Sequence, residues 1–219
     1  MSRLSKTLAS VPAHAAAAET ASFAAARPDE LPLARAAGDG DPEAGATLVG
    51  AVGGGMLRVV RKVLGRGHPD IDDVTQDAVI ALLTSLMMFR AECSVEHFAN
   101  RVALLTALAA RRRVRSRARQ VTVESESFDD VASEQASPLA TTVAARRRAL
   151  VRQLLDELPD VIAEALASHF ILGYTVEEIA AASAVPANTV WSRLRLGKQA
   201  LRRKLERDGA LAEMLRVAK

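Results

Sequence analysis

Apolar side chains in this sequence return at steps of three and four: Val79, Leu82, Leu83, Leu86 and Phe89 in one run, Val95, Phe98, Val102, Leu105 and Leu108 in the next. That repeat marks one face of an α-helix, and no stretch of the same block alternates in twos as a half-buried strand must. Alanine, the best helix former, makes up about a fifth of the 219 residues. Aromatic residues, which favour strands, make up only 3%. The expected fold class is all-α.

Shifts in composition divide the chain. Residues 1–38 read as a flexible alanine-rich arm with a hinge at Pro28 to Pro32. Residues 39–120 read as a bundle of three or four helices. Asp41-Pro42-Glu43 supplies a capping carboxylate, a first-turn proline and an acid at the positive end of the helix dipole. Gly53-Gly54-Gly55 is expected to interrupt that helix and Gly65-Arg66-Gly67 to end it. Pro69-Asp70 starts the next helix with Asp70 as a cap, and a break is expected around Ala91 to Ser94. Residues 121–142 carry Glu124, Glu126, Asp129, Asp130 and Glu134 among serines, the composition of a flexible acidic linker. Helical periodicity returns over 143–207, with Pro159 opening a helix and Gly173 closing one, and 208–219 reads as a tail. The expectation is two small helical domains on an acidic tether.

Within the second domain, Thr175 to Leu194 has the form of a helix-turn-helix. Thr175 and Glu178 can form a capping box, Ile179 and Val190 can fix the angle between the helices, and Ser183-Ala184-Val185 can supply the turn. Pro186 then starts a second helix that presents Asn188, Thr189, Ser192, Arg193 and Arg195, residue types that reach bases and phosphates. Lys198 continues a basic run. An ordinary antiparallel helix pair with a solvated basic face is the plainer alternative. In the first domain, Arg101, Arg111, Arg112, Arg113, Arg115, Arg117 and Arg119 run to Gln120 with no acid between. A helix C-terminus favours two or three cations, but a row this dense points to phosphate contact. Asp70, Asp72, Asp73 and Asp77 cluster at the start of the preceding helix, as caps or as an acidic docking surface.

Chemistry of other kinds finds no residues. His14, His68, His97 and His169 are scattered, and the single cysteine, Cys93, excludes a disulfide framework or a multi-cysteine zinc site. Gly53-Gly54-Gly55 lacks the Lys-Ser/Thr of a nucleotide cradle. Neither catalytic residues nor a metal or other cofactor are expected. One cysteine fits a reducing cytoplasm, and the longest apolar run, Ala78 to Phe89, is too short to span a membrane.

These features together resemble the small extracytoplasmic-function (ECF) group of bacterial RNA polymerase sigma factors, which retain sigma regions two and four. Gly38-Asp39-Gly40-Asp41-Pro42-Glu43-Ala44 resembles that group's opening, and Asp72-Asp73-Val74-Thr75-Gln76-Asp77 its acidic segment. Phe89-Arg90 through Phe98 resembles its minus-ten segment; Leu155-Asp156-Glu157-Leu158-Pro159, Glu178-Ile179-Ala180 and Thr189-Val190-Trp191-Ser192-Arg193-Leu194 resemble region four. The chain departs from the group's pattern at Phe98, Leu104, Leu105 and Ala109, and at Val161 or Ala163. The resemblance implies that Asp73, Gln76 and Asp77 dock on the β′ coiled coil of core RNA polymerase, with region four near the β flap. It implies that Phe89, Arg90, Ser94, Phe98, Arg101, Arg111, Arg112 and Arg113 hold the minus-ten strand. Asn188, Thr189, Ser192, Arg193, Arg195 and Lys198 would read the upstream duplex, and an anti-sigma factor would be a further partner. A degenerate sigma-like protein or a stand-alone helix-turn-helix regulator is the alternative.

Overall fold

A computed structural model describes residues 30–120, 151–153 and 155–207. The arm before residue 30, the acidic linker at 121–142 and the tail at 208–219 lie outside them, as do the side chains of Arg115, Arg117 and Arg119. Among the described residues every regular element is helical, as the apolar spacing requires.

Four helices build the N-terminal half: α1 (Glu30–Gly38), α2 (Pro42–Leu64), α3 (Ile71–Ser85) and α4 (Val95–Gln120). Asp41 starts α2 as its residue type demands, its Oδ1 accepting the amides of Glu43 at 2.9 Å and Ala44 at 3.3 Å. Ser94 starts α4 by accepting the His97 amide at 3.2 Å. Met56, Val60, Leu82, Leu104 and Leu108 are fully buried between the helices. Leu104 thus belongs to the core, which accounts for an apolar residue at one of the positions where the chain departs from the family pattern.

Several expectations are corrected. Helix α1 begins inside the expected arm and turns Ala34 and Ala37 into the bundle; Pro32 falls in its first turn, where a missing N–H leaves nothing unsatisfied. Gly53-Gly54-Gly55 does not break α2, which runs on to Leu64. Gly55 is buried where α2 meets α4, and a β-carbon there would lie 3.0 Å from Asn100 Oδ1. Close packing along the buried face outweighs a propensity deficit of about 1 kcal/mol per glycine. Asp70 makes no side-chain cap to α3. A turn of 3₁₀ helix at Leu86–Met88 ends that run before Phe89.

The C-terminal half contains α5 (Asp160–Ala167), a π-helical turn (Ser168–Leu172), α6 (Val176–Ser183) and α7 (Ala187–Arg207). Gly173, at φ 83°, closes the π turn as expected of a glycine. The Thr175–Glu178 capping box is formed, and Ile179, Val190 and Leu194 are buried between α6 and α7. Ala184 makes the turn between these two helices in the left-handed region, at φ 51°. Helix α4 runs past the end of the bundle's core and also packs against α5 and α6, so the two halves touch directly.

Candidate nucleic-acid interface

Helix α7 sorts its polar side chains by angle. Val190 and Leu194 face inward, while Asn188, Trp191, Ser192, Arg195 and Lys198 are exposed. At about 100° per residue, Arg195 lies about 20° from Asn188 around the axis, so the two share one outward face. Arg193 is about 140° away and only half-exposed, and Thr189 is half-exposed as well. The residues assigned to upstream DNA therefore divide into an outward trio, Asn188, Ser192 and Arg195, and two flanking side chains. Lys198 leans over the exposed Phe170 ring, with its Nζ 5.3 Å from the centroid. Trp191, 57% exposed beside Asn188 and Arg195, was absent from the residues expected there. Its signal was available: it is three residues after Asn188, four before Arg195 and off the Val190–Leu194 stripe.

On α3, Ile71, Val74, Ala78 and Leu82 point to the core, which leaves Asp72, Asp73, Gln76 and Asp77 exposed along the opposite face. The expected docking residues Asp73, Gln76 and Asp77 thus form one acidic stripe, continued by the exposed Ile80.

The candidate minus-ten residues scatter more. Phe89 and Phe98 pack on each other, ring centroids 5.1 Å apart and tilted by 50°, both partly accessible. Ser94 spends its hydroxyl on capping α4, whereas Arg90 and Arg113 are exposed. Arg101, Arg111 and Arg112 turn toward the C-terminal half instead. Arg101 Nε donates to Glu164 Oε1 at 2.7 Å and to Ser183 Oγ at 3.3 Å, and Ser183 Oγ donates to Glu164 Oε1 at 3.0 Å. Arg111 makes a two-pronged pair with Asp156, at 2.9 and 2.7 Å. Arg112 pairs with Asp160. Deeper along α4, Asn100 Nδ2 donates to the Tyr174 hydroxyl at 2.9 Å. His97 stacks edge-on to the Tyr174 ring, and its Nε2 lies 3.9 Å from Glu178 Oε1.

These contacts differ in weight. Arg111 and Asp156 are 15% and 8% exposed, and removing one partner of so covered a pair costs on the order of 3 kcal/mol. Arg202 and Glu206 on α7, about half exposed, gain roughly 0–1 kcal/mol from theirs. Burial pushes the Tyr174 hydroxyl up to about 12, partly opposed by the Asn100 hydrogen bond, so at neutral pH it stays a neutral acceptor for Asn100. Asn100 Oδ1, beside Gly55, has no hydrogen-bond partner among the described residues. Among those residues no cluster of histidine, cysteine or carboxylates could hold a metal ion, and no helix is long and apolar enough to cross a membrane.

The family model described as "Sigma-70, region 4" matches residues 148–201, the segment containing α5, α6 and most of α7. None of the curated proteins matches the chain in sequence. Among solved structures, the chain is similar to CnrH in complex with the cytosolic domain of CnrY, at 21% identity and a TM-score of 0.47, covering 82% of this chain and 98% of that one. It is also similar to the sigma factor RpoE in complex with the anti-sigma factor NepR from Bartonella quintana, at 17% identity and a TM-score of 0.45, covering 78% and 96%.

Proposed function

We infer that this chain, whose residues 148–201 match the sigma-70 region 4 family model, works as a sigma factor of the extracytoplasmic-function group, binding core RNA polymerase and directing it to promoters. One observation carries the reading: the matched segment coincides with a capped helix-turn-helix whose second helix turns Asn188, Ser192 and Arg195 outward together. Those three side chains, with Trp191 beside them, read the upstream duplex. An Arg fork pairs with guanine O6 and N7, an Asn amide with adenine, and an indole packs on a thymine methyl. Arg193, on the flank, braces a phosphate and contributes affinity without selecting sequence.

The acidic stripe Asp73, Gln76 and Asp77 docks on the polymerase β′ coiled coil. Phe89 and Phe98 offer stacking faces to bases of the opened minus-ten strand, with Arg90, Arg113 and the remaining arginines of α4 on its phosphates. The chain makes and breaks no bond itself, and it acts in the cytoplasm with the polymerase. An anti-sigma factor, implied by the family resemblance, restrains it until a signal arrives.

The test is transcription in vitro with core polymerase and a pool of genomic promoter fragments. Chain-dependent transcripts sharing two spaced elements are expected. Binding of a palindromic site without polymerase, and no chain-dependent transcript, would make the protein a stand-alone helix-turn-helix regulator.

A further inference from the structure

We propose that Met87 and Met88 form an oxidant-sensitive site: a peroxide converts both thioethers to sulfoxides and so weakens the hold of the α3 face on core polymerase. The second step rests on the docking proposed above; the first rests on exposure and chemistry alone.

These two methionines are the most exposed large apolar side chains among the described residues, at 72% and 81%. The backbone enforces their position. Leu86, which is buried, anchors the 3₁₀ turn in the core, and the Phe89 amide donates to the Leu86 carbonyl at 3.0 Å. A β-carbon placed on Gly38 would lie 3.3 Å from the Met87 nitrogen, so the end of α1 is seated against the turn. With its backbone held on that side, the turn sends both methionines into solvent.

They extend a face that is already turning apolar. On α3, Asp73, Asp77, Ile80 and Thr84 return at steps of four, three and four, and all are exposed. Thr84 spends its hydroxyl inside the helix, Oγ1 donating to the Ile80 carbonyl at 2.8 Å. Beside Thr84, Leu83 and Val49 line an open hollow of about 610 Å³ between α3 and α2. Acid thus gives way to apolar surface along the face, and the methionines carry that surface onward. Folding gains nothing from two thioethers left in water, whereas flexible, polarisable methionines suit a surface that packs on a partner. Core polymerase, engaged by the acids at the other end of α3, is that partner.

The same exposure opens both sulfurs to oxidation. A thioether sulfur gives an electron pair to one oxygen of hydrogen peroxide; an S–O bond forms and the O–O bond breaks. The departing oxygen takes up the proton and leaves as water, so sulfur is oxidised by two electrons and the peroxide reduced by them. The sulfoxide oxygen needs a hydrogen-bond donor, and an apolar contact offers none. The other two sulfur side chains among the described residues, Met56 and Cys93, are buried.

The experiment treats the full chain with hydrogen peroxide, removes the peroxide, and then mixes the chain with core polymerase. Peptide mass spectrometry is expected to find the added oxygen on Met87 and Met88 well before Met56. Affinity for polymerase should fall at least about fivefold, and methionine sulfoxide reductases of both epimer specificities should restore it. A Met87→Leu, Met88→Leu variant, compared with its own untreated sample, should lose no affinity on treatment. Oxidation of Met56 at the same rate overturns the site. Sulfoxides on both residues without loss of affinity overturn its effect on docking, and so does an equal loss in the leucine variant. An untreated chain that fails to bind polymerase sinks the docking reading and that effect with it, while the peptide masses still decide the oxidation.

Discussion

Gly197 lies where α7 crosses α5, and a β-carbon placed on it would come within 2.5 Å of Leu166 Cδ1 and 2.9 Å of Ile162 Cγ2. Leu166 is 2% exposed and has little room to yield. Overpacking of this kind costs about 1–3 kcal/mol, against which alanine returns up to about 1 kcal/mol of helix propensity. Gly197→Ala should therefore destabilise the chain by about 1–2 kcal/mol in urea unfolding. Gly50 is the control: nothing lies within 4 Å of its hypothetical β-carbon, and Gly50→Ala should stabilise by about 0.5–1 kcal/mol. If both substitutions move stability the same way, the close crossing of α5 and α7 is wrong. Cys93 makes a different prediction. Burial, outweighing the nearby Arg101, pushes its thiol up from 9.0 to about 11. A raised folded value means that this stabilisation is complete below pH 9 and lost as pH rises from about 9 to about 11. At pH 8 a thiol reagent should label the native chain far more slowly than the denatured one; equal rates would contradict the burial. Residues such as Thr175 and Glu178 were legible because partner and cap lie three positions apart. The partner of Arg111 lies 45 positions away and that of Arg101 63, and no local pattern encodes either pairing.

Helix α2 illustrates what propensity can and cannot settle. Its start and end were legible from Asp41, Pro42 and Gly65, since caps are local chemistry. The three central glycines read as a break because the contact that calls for a glycine at Gly55, the approach of Asn100 on α4, exists only in the assembled bundle. Helix α1 was hidden in the same way: Pro32 marks a turn in isolation and a first helical turn once Ala34 and Ala37 have a core to enter. Helix α3 was read correctly as a face, because alternate burial every three or four residues forces Asp72, Asp73, Gln76 and Asp77 outward together. Under the proposed docking, Asp73→Arg with Asp77→Arg should abolish co-purification with core polymerase, as like charges brought together at an interface cost on the order of several kcal/mol. The far-UV spectrum should not change, because neither side chain is buried. Retained co-purification at an unchanged spectrum would remove the stripe from the docking surface.

Across the whole molecule, two runs of helical periodicity and the position of the helix-turn-helix were visible in the sequence. Their mutual contact was not. A row of arginines announces affinity for negative charge, and within the sequence a phosphate, the acidic stretch at 121–142 and a carboxylate of the other half are indistinguishable answers. Only the packing of α4 beside α5 and α6 selects Asp156, Asp160 and Glu164 among the described residues. Trp191 carries a consequence of another kind. The chain has one tryptophan, and its indole is 57% exposed on the outer side of α7. Ultraviolet excitation at the red edge of indole absorption therefore collects light from a single point of a 219-residue protein. Free, that emission should be the red-shifted spectrum of a water-bathed indole. Once an upstream duplex covers the outward side chains of α7, it should shift to the blue or quench, giving an unlabelled optical titration of that one contact.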